Sequence, residues 1–226
     1  MGMLVLIENV IDKETVARLQ GWMADAAFED GKATAGGNAA LVKKNEQVSS
    51  DPDQPEPRLE EMQELVLDAL WDNHVFMTAS QAKDVKPPLF SRYTEGMEYG
   101  LHMDNSLMGK HRIDMSLTLF LCDPDEYDGG ELVIYFPTGE RSVKLAAGCA
   151  VLYPTTALHR VAPVTRGRRQ VAVTWVRSLV RDAAEREILF DLKMARDQLS
   201  KQVGKSIEID LLSKSYTNLL RRWIDD

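Results

Sequence analysis

Three side chains that could bind one metal ion stand out: His102 and Asp104, which are one residue apart, and His159, 57 residues further along. Two imidazoles and one carboxylate form the facial triad that binds non-haem Fe(II) and leaves coordination positions open. If residues 99–104 end a strand, His102 and Asp104 project from the same face, because successive side chains in a strand alternate. His159 lies in the apolar segment 158–164, which also predicts a strand. These residue types and their spacing predict a metal centre on a β scaffold.

An arginine follows the second histidine at a distance that suggests a second function. Arg169 lies ten residues after His159. A short turn at 165–168 separates two strand-like segments, so we expect a hairpin that brings Arg169 back beside His159. A guanidinium at that place could hold a dicarboxylate through two parallel hydrogen bonds.

Composition limits the classes of protein to which the chain can belong. With 226 residues, of which 44% are hydrophobic, it can bury the core of one large β domain with helical additions. The formal net charge of −8 argues against general binding to nucleic acid. The N-terminus lacks the basic region of a signal peptide, and we expect no membrane span. Only two cysteines are present, which fits a reduced, cytoplasmic compartment.

The hydrophobic pattern divides the chain into an N-terminal segment 1–86, a core 87–178 and a C-terminal segment 179–226. The core contains short alternating runs broken by turn residues, which predicts the strands of a double-sheet jelly roll. The C-terminal segment has apolar residues at helical spacing, interrupted at Gly204, and predicts two helices. These helices could pack on the sheet or on a second subunit of a homo-oligomer. The predicted fold is α+β, a double-stranded β-helix (jelly-roll) core with N-terminal helices and an appended C-terminal helical segment.

The N-terminal segment predicts two helices joined by a long connection. Asp12 can cap a helix over 13–28, and a second helix begins at Leu59, each with an apolar stripe. The connection, residues 30–57, is rich in glycine, proline and polar residues. We therefore expect a long loop without regular structure, and we hypothesise that it forms a lid over the site.

With these motifs in place, the sequence resembles the PKHD-type hydroxylases, bacterial iron- and 2-oxoglutarate-dependent oxygenases related to prolyl and lysyl hydroxylases. The resemblance runs along most of the chain. It is carried by LFSRY at 89–93, GMEYGLHMDN at 96–105, YDGGELVI at 127–134, LHRV at 158–161 and YTNLLRRW at 216–223. The last of these is similar to the family's appended helical segment.

The resemblance implies that the iron ligands are His102, Asp104 and His159. It implies that Arg169 binds the far carboxylate of 2-oxoglutarate and that Tyr93 is a hydrogen-bond partner for this co-substrate. Packing under the sheet is the alternative role of Tyr93. O2 would be the second co-substrate and ascorbate a reductant, and a small-molecule or peptide substrate would be hydroxylated with release of succinate and CO2.

One position departs from the family pattern. Arg177 follows the aromatic strand 171–176 at a place where we expect an uncharged amide. A cation there would change the polarity of the pocket and therefore the class of substrate.

Two other functions could use the same side chains. A non-catalytic jelly-roll module could bind a metal or a small dicarboxylate as a sensor. A zinc hydrolase could hold its metal through two histidines and a carboxylate. Arg169, and the absence of an obvious general base beside His102, disfavour the hydrolase. Conversion of 2-oxoglutarate to succinate and CO2 would separate an oxygenase from a sensor.

Overall fold

Helices and strands were assigned in a computed structural model, which describes residues 3–51, 53 and 56–225. The helices are α1 (Lys13–Asp25), α2 (Gly37–Leu41), α3 (Leu59–Asp72), α4 (His74–Ser80), α5 (Ala183–Val203) and α6 (Ile207–Trp223), with a 3₁₀ turn at Gly31–Thr34. The first nine strands are β1 (Val5–Ile7), β2 (Phe28–Asp30), β3 (Lys43–Lys44), β4 (Glu46–Val48), β5 (Ala82–Val85), β6 (Leu89–Tyr93), β7 (Glu98–His102), β8 (Leu107–Met108) and β9 (His111–Arg112). The others are β10 (Met115–Phe120), β11 (Tyr127–Gly129), β12 (Leu132–Phe136), β13 (Gly139–Val143), β14 (Ala150–Pro154), β15 (His159–Val161), β16 (Val164–Gly167) and β17 (Arg169–Ser178).

Two antiparallel sheets form the core. The larger sheet has eight strands in the order β1-β14-β10-β17-β6-β4-β2, with β5 also paired to β17. The smaller sheet has five strands in the order β13-β12-β15-β7-β3. Two further pairs, β11 with β16 and β8 with β9, lie outside these sheets. This architecture confirms the predicted α+β jelly roll, with helices before and after the core strands along the chain.

Strand β10 shows why the layers hold together. Leu117 and Leu119 point to one side and pack with buried residues of α1, α3 and α4. Phe120 points to the other side and packs with residues of the smaller sheet. Because side chains alternate along a strand, one apolar run serves both interfaces. Burial of each such leucine contributes about 1.5–3 kcal/mol.

The first predicted helix is present but ends early. The Asp12 carboxylate accepts a hydrogen bond of 2.8 Å from the backbone N–H of Thr15, as a helix cap should. The helix ends at Asp25 instead of residue 28. The reason is tertiary, since Phe28 belongs to β2 and pairs with Val48 of β4.

The expectation of a loop without regular structure over residues 30–57 is wrong. Residues 31–48, here called the wall segment, contain the 3₁₀ turn, α2, β3 and β4. Lys43 of β3 pairs with Tyr99 in the smaller sheet, whereas Glu46 of β4 pairs with Arg92 in the larger one. The wall segment therefore joins the two sheets. Strands this short carry too few residues for their alternation to be recognised without their partners.

We expect the wall segment to be a fixed part of the pocket instead of a lid. Backbone amides of residues 43–48 should exchange with solvent at least about tenfold more slowly than those of 204–206, because paired strands must open before they exchange. Hydrogen exchange with Fe(II) and 2-oxoglutarate present measures this before any substrate is added. Equally fast exchange in residues 43–48 and 204–206 would instead support the hypothesis of a mobile lid.

The C-terminal helices pack against the body of the same chain. Asp197 Oδ2 of α5 lies 3.0 Å from His74 Nε2 of α4. On α6, the Tyr216 hydroxyl accepts a 3.1 Å hydrogen bond from Gln81 Nε2. Gly204 separates the two helices with a φ of +68°, as predicted. Within the part of the chain that the structure describes, no helix is both long and apolar enough to cross a membrane.

Candidate metal centre

Strand pairing brings the two predicted histidine ligands together. His102 is the last residue of β7 and His159 is the first of β15, and these two residues are direct partners in the smaller sheet. Asp104 lies two residues beyond the end of β7, so strand alternation does not position it, in contrast to our expectation. One ligand atom from each of the three residues nevertheless lies within 4.8 Å of the others.

Both imidazoles are oriented by the backbone. Nδ1 of His102 lies 2.8 Å from the Gly100 carbonyl oxygen, and Nδ1 of His159 lies 3.1 Å from that of Ala157. With Nδ1–H donating to a carbonyl, Nε2 is left as the metal-binding atom. The two Nε2 atoms lie 4.0 Å and 3.8 Å from the Asp104 carboxylate oxygens. Burial, and then the neighbouring His159, lower the pKa of His102 to about 4, which keeps this imidazole neutral and able to bind a cation.

Two residues that sequence reasoning missed support these ligands. The Ser116 hydroxyl donates a 2.5 Å hydrogen bond to Asp104 Oδ2 from the central strand β10. The Tyr99 ring stacks on His102 with 3.6 Å between centroids and 15° between planes. Ser116 has no local sequence signal, because its proximity to Asp104 depends on how the two sheets face each other.

Removal of the Ser116 hydroxyl should weaken metal binding without destroying the site. Loss of a hydrogen bond to a ligand typically costs 10–100-fold in metal affinity, and we expect Ser116→Ala to fall in this range. Anaerobic Fe(II) titration measures the effect. Ser80→Ala is the control, since this buried hydroxyl bonds only its own helix at Phe76. Equal affinity in Ser116→Ala and wild type would show that Asp104 needs no such support.

Arg169 reaches the pocket by a route that differs from the predicted hairpin. His159 lies on β15 in the smaller sheet, whereas Arg169 begins β17 in the larger one. The two residues therefore line the same pocket from facing sheets. At Gly130, where φ is +68°, a Cβ atom would lie 3.0 Å from Arg169 Cδ, so the glycine leaves room for this side chain.

The guanidinium of Arg169 is buried without an ionic partner. Its residue is only 1% exposed, and its Nε atom has no hydrogen-bond partner. Its Cζ lies 5.0 Å from the centre of the Tyr93 ring and 5.6 Å from that of Phe120. Among the described residues no carboxylate forms an ion pair with it. A buried cation without a counter-ion is costly, so this geometry indicates a place for an anionic ligand.

Tyr93 packs between the two sheets and also faces the pocket. It is the direct strand partner of Arg169. Burial raises the pKa of its phenol, so the hydroxyl stays protonated and can donate a hydrogen bond. Arg177, the departure from the family pattern, does not line this pocket.

The wall segment forms one side of the pocket with alternating polar side chains. Lys43, Asn45 and Gln47 are buried and line the pocket, while Lys44 is exposed. Burial lowers the pKa of Lys43 to about 8, opposed by the charge of Asp104 and then of Asp30. The pocket has about 760 Å³ of empty space, including open solvent at its mouth, which is typical of small-molecule sites.

Comparison with known proteins identifies the family. The model of the 2OG-Fe(II) oxygenase superfamily matches residues 88–177, and that of the PKHD-type hydroxylase C-terminal domain matches residues 183–225. A PKHD-type hydroxylase of Synechococcus elongatus is 48% identical over 98% of this chain and 99% of that protein. The chain belongs to the PKHD-type hydroxylase family. Another PKHD-type hydroxylase, from Maricaulis maris, is 46% identical over 99% of this chain and 100% of that protein.

Solved structures show the same fold as this PKHD-type hydroxylase at low sequence identity. A prolyl-4-hydroxylase of Pseudomonas putida has a TM-score of 0.52 and 21% identity, covering 79% of this chain and 94% of that one. A viral collagen prolyl hydroxylase from Paramecium bursaria Chlorella virus-1 was solved as a 2-oxoglutarate complex. It has a TM-score of 0.52 and 18% identity, covering 77% of this chain and 96% of that one.

Family membership decides the reaction class. The PKHD-type hydroxylase is a 2-oxoglutarate-dependent dioxygenase that uses Fe(II) and O2 and acts as a hydroxylase. Its residues fit these groups, since two imidazoles and a carboxylate suit Fe(II), and a buried arginine without an ion pair suits a dicarboxylate. This class favours the oxygenase over the sensor and the zinc hydrolase.

Proposed function

We propose that His102, Asp104 and His159 bind the Fe(II) of this hydroxylase, and that Arg169 binds the C5 carboxylate of 2-oxoglutarate. The observation that carries the proposal is the buried guanidinium of Arg169, whose Nε atom has no hydrogen-bond partner, in the same pocket as the three converging ligand atoms. A carboxylate would satisfy this guanidinium through charge-assisted hydrogen bonds.

Tyr93 supports the same carboxylate in this proposal. Its protonated phenol lies beside Arg169 and can donate a further hydrogen bond to an oxygen held there. Burial raises the pKa of the phenol, and the charge of Arg169 and then the nearby amide of Asn45 oppose this shift. Neither side-chain amide atom of Asn45 has a hydrogen-bond partner. Asn45 is therefore a second polar group available to a ligand.

When bound, Fe(II) supplies the activation of O2 that couples oxidation of 2-oxoglutarate to succinate and CO2 with hydroxylation of the substrate. The chain supplies position and the exclusion of water. Backbone carbonyls fix the two imidazoles, Ser116 fixes Asp104, and the facing sheets bury the co-substrate end of the pocket. None of these groups needs to transfer a proton for the iron to be held.

The substrate is a small molecule or a peptide in this proposal. A related prolyl hydroxylase from Trichoplax adhaerens was solved with a hypoxia-inducible-factor peptide, at a TM-score of 0.53 and 14% identity. In this chain Leu101 and Met103, on either side of His102, are exposed by 49% and 55%. Such an apolar surface beside a pocket favours contact with a substrate's apolar part.

The test of this proposal is a sequential anaerobic titration. Fe(II) should bind first with one equivalent, and 2-oxoglutarate should then bind tightly only to the Fe(II) form. Admission of O2 should yield succinate, measured by NMR. If Fe(II) and 2-oxoglutarate bind but no succinate forms with any mixture of candidate substrates, the sensor is favoured. Hydrolytic activity that depends on Zn(II) would favour the hydrolase.

Four further properties of this hydroxylase and its domain division are also proposed. We propose ascorbate as the reductant, a cytoplasmic location, no general nucleic-acid binding, and self-association through the C-terminal helices. We also propose the division into 1–86, 87–178 and 179–226. The first part supplies strands β1–β5 to the two sheets as well as helices, so it is built into the core.

A further inference from the structure

Lys43 is a buried cation close to the candidate metal ligands. It lies on β3 with 6% exposure and is the strand partner of Tyr99. Its Nζ is 5.3 Å from the centre of the Tyr99 ring, which stacks on His102. Its hydrogen bond is donated to the neutral Thr34 hydroxyl at 3.0 Å.

The charges in the pocket balance without Lys43. Among the described residues that line it, only Lys43, Asp104 and Arg169 are lysine, arginine or carboxylate side chains. Fe(II) and Arg169 would bring three positive charges, and Asp104 and the 2-oxoglutarate dianion three negative ones. Lys43 is then a fourth positive charge, offset only in part by the carboxylate of Asp30, which does not line the pocket. No described carboxylate forms an ion pair with it.

The wall segment prevents Lys43 from reaching bulk water. Lys43 lies on β3, the edge strand of the smaller sheet, which is paired with β7. The neighbouring Lys44 takes the exposed side, where its Nζ donates to the Gly96 carbonyl at 2.8 Å. A buried ammonium is costly unless it is paired. The lowered pKa of Lys43 expresses this cost, since burial is its largest cause.

Lys43 and Arg169 enter the pocket from different sheets. Arg169 lies on the larger sheet over Tyr93 and Phe120, whereas Lys43 lies on the smaller sheet beside Tyr99. We propose that Lys43 binds a carboxylate of the primary substrate, so that this hydroxylase acts on an acidic small molecule or an acidic residue of a peptide. The inference rests on the proposed function, because the charge balance assumes bound Fe(II) and 2-oxoglutarate.

The test uses three simple probes on the anaerobic Fe(II)–2-oxoglutarate protein. They are N-acetyl-glutamate N-methylamide, its neutral glutamine isostere, and propionate, a carboxylate without peptide groups. Ligand-observed NMR reports binding, because paramagnetic Fe(II) broadens the signals of a molecule held near it. Binding of propionate as tight as that of the glutamate probe indicates a small acid, and preference for the glutamate probe indicates a peptide.

The variants are Lys43→Met, Lys43→Arg and the matched control Lys44→Met, which removes the same charge from the adjacent, exposed position. We expect wild type and Lys44→Met to bind the glutamate probe at least about tenfold more tightly than the isostere. Lys43→Met should lose this preference, and Lys43→Arg should retain part of it. The comparison of the two probes on wild type alone already tests the inference if a variant fails to fold.

Several results would overturn the inference. If the wild-type protein binds no probe, or binds the glutamate probe and its glutamine isostere equally, it has no carboxylate subsite. Equal affinity of Lys43→Met and wild type for the glutamate probe would remove Lys43 from it. Weaker 2-oxoglutarate binding in Lys43→Met would place Lys43 at the co-substrate. Failure of wild type to bind Fe(II) and 2-oxoglutarate, measured in the same samples, would instead refute the proposed function.

Discussion

Replacement of Asp104 by alanine is expected to lower Fe(II)-dependent succinate formation by more than about 100-fold. Supporting hydrogen bonds around a metal are typically worth 10–100-fold in affinity or activity, and removal of a ligand itself should cost more. Only two imidazoles would remain of a set whose ligand atoms lie within 4.8 Å of one another. His102→Ala and His159→Ala should have effects of the same size.

The measurement is succinate production under O2 together with anaerobic Fe(II) titration. Each variant should stay folded, by circular dichroism, because the three side chains face the pocket. His111→Ala is the control, since this imidazole is exposed and lies 2.8 Å from Asp84. Turnover at the wild-type rate in any of the three variants would remove that residue from the metal centre.

Replacement of Arg169 by alanine is expected to weaken 2-oxoglutarate binding by about 2–5 kcal/mol while Fe(II) affinity stays unchanged. This corresponds to roughly 30-fold or more in the dissociation constant. The effect is large because Arg169 is only 1% exposed, so a carboxylate bound beside it would lose a buried partner charge. Arg169→Lys should recover part of the loss, since it keeps the charge but not the two parallel donors.

Calorimetry of 2-oxoglutarate binding to the anaerobic Fe(II) protein measures this effect. Arg168→Ala is the matched control, because Arg168 is the neighbouring arginine and is exposed. We expect it to bind 2-oxoglutarate like wild type. If Arg169→Ala also binds like wild type, the carboxylate is held by another group, and the proposed role of Arg169 fails.

Features that depend on local signals could be predicted from the amino-acid sequence alone. Asp12 caps α1, and Gly204 separates the last two helices. In β10, Leu117 and Leu119 lie on one face of the strand and pack in one core cluster. Caps, turn residues and side-chain periodicity act over a few residues, so they are visible without the fold. The types and order of the candidate ligands were equally readable, because Fe(II) chemistry restricts the side chains that can hold it.

The way in which distant segments meet could not be predicted from local signals and is seen in the folded chain. Arg169 reaches the pocket from the sheet opposite His159, and Ser116 reaches Asp104 from a central strand. Lys43 is buried because its two-residue strand lies in a segment that joins both sheets. Such pairings follow from burial of the faces of two whole sheets, to which each short strand contributes little. For that reason a segment rich in glycine and polar residues predicted a loop and is instead a wall of the pocket.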